Sequence, residues 1–267
     1  MDQLMKTAIE KDQKGLDEGG IPNSTSQQRM PIFVVALGMA IPTLITWIYF
    51  DLLATAPSIA QKIAYAMGKL SQVGIMLVAY WLWRQRWKHS PIKPSLMGKP
   101  IASRWIAVGC LTGIVIGCAS IMVFQWVLLP LGIMESAKLT AMEKLQSFGA
   151  DSPAALLAIA LFYALLHSGF EEFYWRGFVF RGLNEHLGVA LSVCLSSLAF
   201  MSHHVLVLAK FFGYASIMTY LLAVSVAVGG AIWAVLYHRC GSLIPGWISH
   251  AMVDAALFII GYLLVFA

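Results

Sequence analysis

An ionisable side chain inside an apolar helix costs a few kcal/mol or more, so those that occur call for a chemical reason. In this chain they gather in the C-terminal half: His167, Glu171, Glu172, Arg176, His203, His204, His250 and Asp254. Within EEFYWR, 171–176, Glu172 stands four residues before Arg176. That is the favourable order for a helical ion pair, and such a pair neutralises itself. Glu171 projects about 100° away and has no arginine at helical spacing. Its neighbour one turn back is His167. A carboxylate without a cation in a poorly hydrated site is a candidate general base.

Two further segments carry polar groups. FMSHH, 200–204, ends an apolar run, and its adjacent histidines point to different helix faces, so one of them is expected to face a site. HAMVD, 250–254, sets His250 and Asp254 one turn apart on a single face. A carboxylate so placed can fix an imidazole's orientation and proton position. The bland alternatives are a charged cluster at the bilayer surface for 171–176, an interfacial histidine for 200–204 and a packed polar pair for 250–254. Together the three segments supply a free carboxylate, two histidines and a His–Asp face. One base, one water and several hydrogen-bond donors suffice to hydrolyse an amide. No serine or cysteine nucleophile is required. Ser168, Ser202 and Ser249 read as ordinary packing residues of membrane helices. The four cysteines have no CxxC spacing and read as small core residues.

Two histidines and a carboxylate are also a familiar zinc ligand set. Glu171, His204 and His250 could supply it, but the HExxH helix is absent. A ligating His204 would also need a second acceptor, and only Phe200 and Leu208 flank it one turn away. No metal or other cofactor is therefore expected.

The elements that position these residues follow from composition. Of 267 residues, 59% are hydrophobic and 12% charged, too few charges to cover a water-facing surface. Mean hydropathy is +0.75. The apolar residues come in blocks of roughly 20, the length that crosses a bilayer core. Backbone groups in lipid must bond internally, so the blocks are helices, and the alternation of a β-barrel is absent. The expected fold is an all-α polytopic bundle of about seven spans, near 32–54, 63–83, 105–130, 154–176, 190–209, 215–237 and 243–266. From Ala154 to Leu187 the helical pattern is nearly unbroken, so this element either projects beyond the bilayer or bends at Gly169, Gly177 or Gly182.

Residues 1–30 form a polar tail without an apolar leader core, so the first span is expected to be an uncleaved anchor. Residues 31–150 hold N-terminal spans and a basic, proline-broken linker at 84–104, and 151–267 hold the catalytic core. A short amphipathic helix is expected at 135–148. With the N-terminus in the cytoplasm, 13 Lys and Arg fall inside and four outside, which supports that orientation. The net charge of +5 thus reads as membrane orientation, and no nucleic-acid partner is expected. One tension stands: His204 lies ~20 Å along its expected span and His250 only about 10 Å along its own, yet both must reach Glu171.

The three segments, in order and spacing, resemble the CPBP family of CAAX-processing and bacteriocin-processing (Abi) membrane proteases, whose pattern is EExxxR, FxxxH and HxxxN or HxxxD. YHRCGSLIPGWISH, 237–250, also resembles the family's approach to the last motif, and the likeness spans about 154–260. The resemblance implies a glutamate-dependent intramembrane endopeptidase of a bacterial inner membrane, acting on a peptide or membrane-protein substrate from within the lipid bilayer. It implies Glu171 as the base activating water, Glu172 and Arg176 as its supporting pair, and His204 sharing the activation. His250 and Asp254 would support the oxyanion side. Many members have Asn at the last position; an ionised Asp cannot donate a hydrogen bond, so Asp254 is suited to orienting His250. The alternative implied is a non-catalytic membrane scaffold or immunity protein of the same fold. A proton-coupled transporter also fits intramembrane Glu and His, but no internal repeat is visible.

Overall fold

The computed structural model describes residues 29–87, 101–147 and 152–267. Most of the polar tail, 1–28, and the centre of the basic linker, 88–100, lie outside the described residues. Among those described there is no strand. The chain runs through α1 (Ile32–Leu52), α2 (Ser58–Trp87), α3 (Ser103–Leu128), α4 (Met134–Ser147), α5 (Pro153–Leu187), α6 (Val189–Phe212), α7 (Ile217–Cys240) and α8 (Ile244–Phe266). It is a polytopic helical membrane protein.

Side-chain contacts fix which ends lie together. At one end, which we call the near end, the Met30 amide donates to Glu185 Oε2 at 2.7 Å, and the Met30 carbonyl lies 2.7 Å from His186 Nε2. The start of α1 thus sits beside the end of α5. At the far end Asp51, closing α1, takes Lys210 Nζ and the Tyr214 hydroxyl, each at 2.7 Å, from the α6–α7 corner. Burial and the bond to Asp51 push the Tyr214 phenol up to about 12. Helix α4, at the expected interfacial position, joins this end through a bond from the Ser136 hydroxyl to the Phe211 carbonyl. Lys144 of α4 lies over the rings of Tyr49 and Phe50.

Helices α3 and α8 are parallel. A Cβ at Gly109 would meet the Pro245 carbonyl oxygen at 2.4 Å, one at Gly113 would meet Met252 and Ser249, and one at Gly117 would meet Ala256. Small residues at every fourth position let the two backbones approach. Since α8 begins at the near end, so does α3. Helix α1 finishes at the far end, and α2 therefore carries the chain back.

Six helices are long and apolar enough to cross a membrane, against the seven expected. The one that falls short is α2, whose sequence carries Lys62, Lys69 and Gln72. Its 30 residues nevertheless reach about 45 Å, and connectivity assigns it the return passage.

Helix α5 is not broken at Gly169, Gly177 or Gly182. It continues for 35 residues and contains two π-helical stretches, Phe162–His167 and Phe173–Phe180. Each widens the turn to an i→i+5 pattern, a feature frequent at functional sites. Glu171 and Glu172 lie on the α-helical turn between them. The helix stops at Gly188, whose φ of +75° turns the chain into α6.

Candidate functional site

The long α5 resolves the depth conflict. Glu171 lies 17 residues before Gly188 and His203 lies 15 after it. At ~1.5 Å per residue both stand roughly 22–26 Å from that turn, so the α5–α6 hairpin brings them level. On the other side α7 and α8 form a second hairpin through Gly241, which sets His250 beside Trp233.

Three of the histidine Nε2 atoms surround the Glu171 carboxylate. His167 and His203 each approach Oε1 at 3.7 Å, and His250 approaches Oε2 at 3.8 Å. His204 stands within electrostatic reach of Glu171 and His250. The side chain of Glu171 retains 13% exposure, whereas Glu172 retains 1%. The two adjacent carboxylates therefore occupy different environments. Glu172 is sealed and committed: its Oε1 takes Arg176 Nη1 at 2.9 Å and His250 Nδ1 at 3.0 Å. The ion pair expected from the i,i+4 spacing forms. Arg176 also donates to the Gly230 carbonyl at 3.1 Å and is flanked by the rings of Phe200 and Trp233. The guanidinium so placed bridges α5, α6 and α7.

His250 and Asp254 share a face as expected, with Asp254 Oδ1 3.7 Å from His250 Nε2. The atom that orients His250 is different from the one expected, however. Its Nδ1 is held by Glu172, from another helix, while Asp254 approaches the opposite nitrogen. A donating Nδ1–H leaves the lone pair of the neutral ring on Nε2, turned toward Glu171 and Asp254.

Adjacent His203 and His204 do not divide between a site face and an outer face. Their ring centroids are 4.1 Å apart, and His203, absent from the motif reading, makes the shorter approach to Glu171. Its ring is parallel to that of Trp175. His204 Nδ1 lies 2.9 Å from the Phe200 carbonyl. The acceptor not found among its helical side-chain neighbours is thus the backbone one turn back, and again Nε2 is left with the lone pair. Sequence reasoning named His167 as the one-turn neighbour of Glu171, and the two lie 3.7 Å apart. It passed over Ser249, which is fully buried and accepts a bond from Trp233 Nε1 at 3.0 Å. It passed over Gly246, where a Cβ would meet Glu172 Oε2 at 2.8 Å. No periodicity marks these last two.

Glu171, His204 and His250 are the zinc set conceivable from sequence, with Asp254 behind His250. Among the described residues no group of three or more His, Cys, Asp or Glu side chains is arranged to hold a metal ion.

The comparison with known families falls on the same elements. Residues 153–256 match the family model described as type II CAAX prenyl endopeptidase Rce1-like. The CPBP resemblance is therefore borne out. No curated protein and no solved structure matches the chain. The Rce1-like segment holds Glu171, Glu172, Arg176, His203, His204, His250 and Asp254, and it runs from the start of α5 into α8. Helix α3, packed along α8, lies outside it yet touches the site's surroundings: the Thr112 and Ser249 hydroxyls are 3.0 Å apart.

Proposed function

We propose that this protein is an intramembrane endopeptidase that hydrolyses peptide bonds with a water activated by Glu171 and His204. The observation that carries the reading is the contrast between neighbouring carboxylates. Glu172 is sealed and bound by Arg176 and His250, while Glu171 keeps access and is surrounded by imidazole nitrogens. The match to an endopeptidase family supports the reaction class.

Glu171 accepts a proton from water, and the oxygen attacks the carbonyl carbon of the scissile bond. His204, with Nδ1 turned to the Phe200 carbonyl, offers Nε2 to the same water. The tetrahedral intermediate collapses, the C–N bond breaks, and the proton held by Glu171 passes to the leaving amine. His250 and Asp254 stand on the oxyanion side. His250 is oriented by Glu172 through Nδ1, and its Nε2 offers a proton to the oxyanion only in the doubly protonated ring. The mechanism requires no metal.

The substrate is a peptide or membrane protein reaching the site from the lipid bilayer. By the family's description, prenylated C-terminal peptides are the first class to assay. The near end of the bundle faces the cytoplasm of a bacterial inner membrane, which the bias of basic residues supports.

The test is cleavage of a peptide panel, prenylated and unmodified, by purified protein and by a Glu171→Ala variant. Cleavage lost in the variant supports the reading. Equal activity in both, or none across the panel in folded wild type, favours the non-catalytic scaffold or immunity role.

A further inference from the structure

We infer that Trp233 is a positioning residue for His250, fixing the plane of its ring, and that it is tied to α3 through Ser249 and Thr112. The kinetic part of this inference rests on the proteolytic reading above; the structural part does not.

An imidazole turns about a broad, roughly two-fold terminal torsion, so its packing alone rarely defines which edge faces which partner. His250 has one edge bond, from Nδ1 to Glu172 Oε1 at 3.0 Å. A single bond leaves the ring free to tilt about that contact. The Trp233 indole removes this freedom. It lies at 17° to the His250 ring with centroids 4.0 Å apart, the closest aromatic approach to His250, since Phe200 stands edge-on at 6.1 Å. A face contact and an edge bond together set the direction of Nε2.

The clamp works only if the indole is itself immobile. Trp233 is 4% exposed. Its ring N–H is a donor only, so the 3.0 Å contact to Ser249 Oγ has one direction and fixes rotation of the indole in its own plane. Ser249 is fully buried, and its hydroxyl lies 3.0 Å from that of Thr112. Thr112 is held to the Val108 and Gly109 carbonyls at 2.9 and 3.0 Å. The support therefore runs from the α3 backbone to the face of His250 and enters from outside the Rce1-like segment. Trp233 also stands 5.0 Å from the Arg176 guanidinium, so one side chain meets both groups that share Glu172 Oε1.

The test uses full-length protein in detergent with Trp233→Leu, Trp233→Phe and Ser249→Ala variants. The first measurement is the tautomer of His250 by nitrogen NMR of histidine-labelled protein, the signal assigned with a His250→Gln variant. We expect a single tautomer protonated at Nδ1 in wild type, a mixture in Trp233→Leu, and a smaller admixture in Trp233→Phe, which restores a flat face but not the bond to Ser249. The second is steady-state kinetics. A Trp233→Leu loss of roughly tenfold to a hundredfold in kcat, with KM within about twofold, is the signature of lost positioning. A wild-type tautomer in folded Trp233→Leu, or a loss confined to KM, overturns the inference. If Trp233→Leu does not fold, Ser249→Ala decides: a mixed tautomer supports the relay and an unchanged one overturns it. Should wild type cleave nothing, the proteolytic reading fails while the tautomer measurement still decides the role of Trp233.

Discussion

His250 on α8 and Glu172 on α5 are joined by a 3.0 Å bond between Nδ1 and Oε1. The same oxygen takes Arg176 at 2.9 Å, so one atom couples the EExxxR and HxxxD segments. Its partner Oε2 is buried without a hydrogen bond and lies over the backbone of Gly246. Glu172 is thus the hinge-pin of the cluster, and Glu171 is left as the carboxylate with access.

Glu171→Gln is expected to abolish proteolysis while leaving insertion and thermal stability near wild type. Gln is nearly isosteric but accepts no proton at neutral pH. Wild-type turnover by purified Glu171→Gln protein would falsify the base assignment.

Arg176→Ala is expected to damage folding as well as activity. It removes the cation from a carboxylate that is 1% exposed, and breaking a buried pair costs roughly 3–5 kcal/mol. Thermal unfolding in detergent checks this; an unchanged midpoint sinks the claim that the pair is structural. Glu172→Gln is expected to be destabilising to a smaller extent, because its amide oxygen still serves Arg176.

Gly109→Ala is expected to destabilise by about 1–3 kcal/mol, since the new methyl meets the Pro245 backbone at 2.4 Å and backbone cannot rotate aside. Gly74→Ala, where a Cβ meets nothing within 4 Å, is the control and should be neutral. Equal midpoints for the two variants would remove the α3–α8 contact as a determinant of stability.

At the far end, the neutral Tyr214 hydroxyl donates to Asp51, and its phenol is pushed up to about 12 from an ordinary value near 10. A raised folded value means that the contribution is full below about pH 10 and is lost as pH rises toward about 12. Tyr214→Phe should therefore show a smaller fall in thermal midpoint between these pH values than wild type. The same slope in both proteins would show that the Tyr214–Asp51 bond does not contribute.

The metal-free proposal predicts full activity after exhaustive chelation. Elemental analysis of the active protein settles the matter together with that assay. Stoichiometric zinc, with activity lost on chelation and restored by adding zinc, would instead make Glu171 a ligand or a zinc-assisted base.

Much of this molecule was legible along the chain because lipid imposes a one-dimensional rule: apolar blocks of fixed length must be helices, and polar groups within them stand out. The spans, the Glu172–Arg176 pair and the shared face of His250 and Asp254 all depend on neighbours within one helical turn. Seven spans were expected where six helices are long and apolar enough to cross a membrane; α2, which carries Lys69 and Gln72, falls short, and the parallel course of α3 and α8 is what has it lead the chain back. Which carboxylate orients His250 was not legible, because Glu172 lies 78 residues away and no periodicity links two helices. The same holds for His203 against Glu171, which meet across the α5–α6 hairpin. It holds for Ser249, Trp233 and Gly246, whose places follow from the contact of separate helices. Sequence determined which groups enter the membrane and which of them pair within a helix. Tertiary structure decided which nitrogen faces which oxygen, because that is set by the rotation and depth of one packed helix against another.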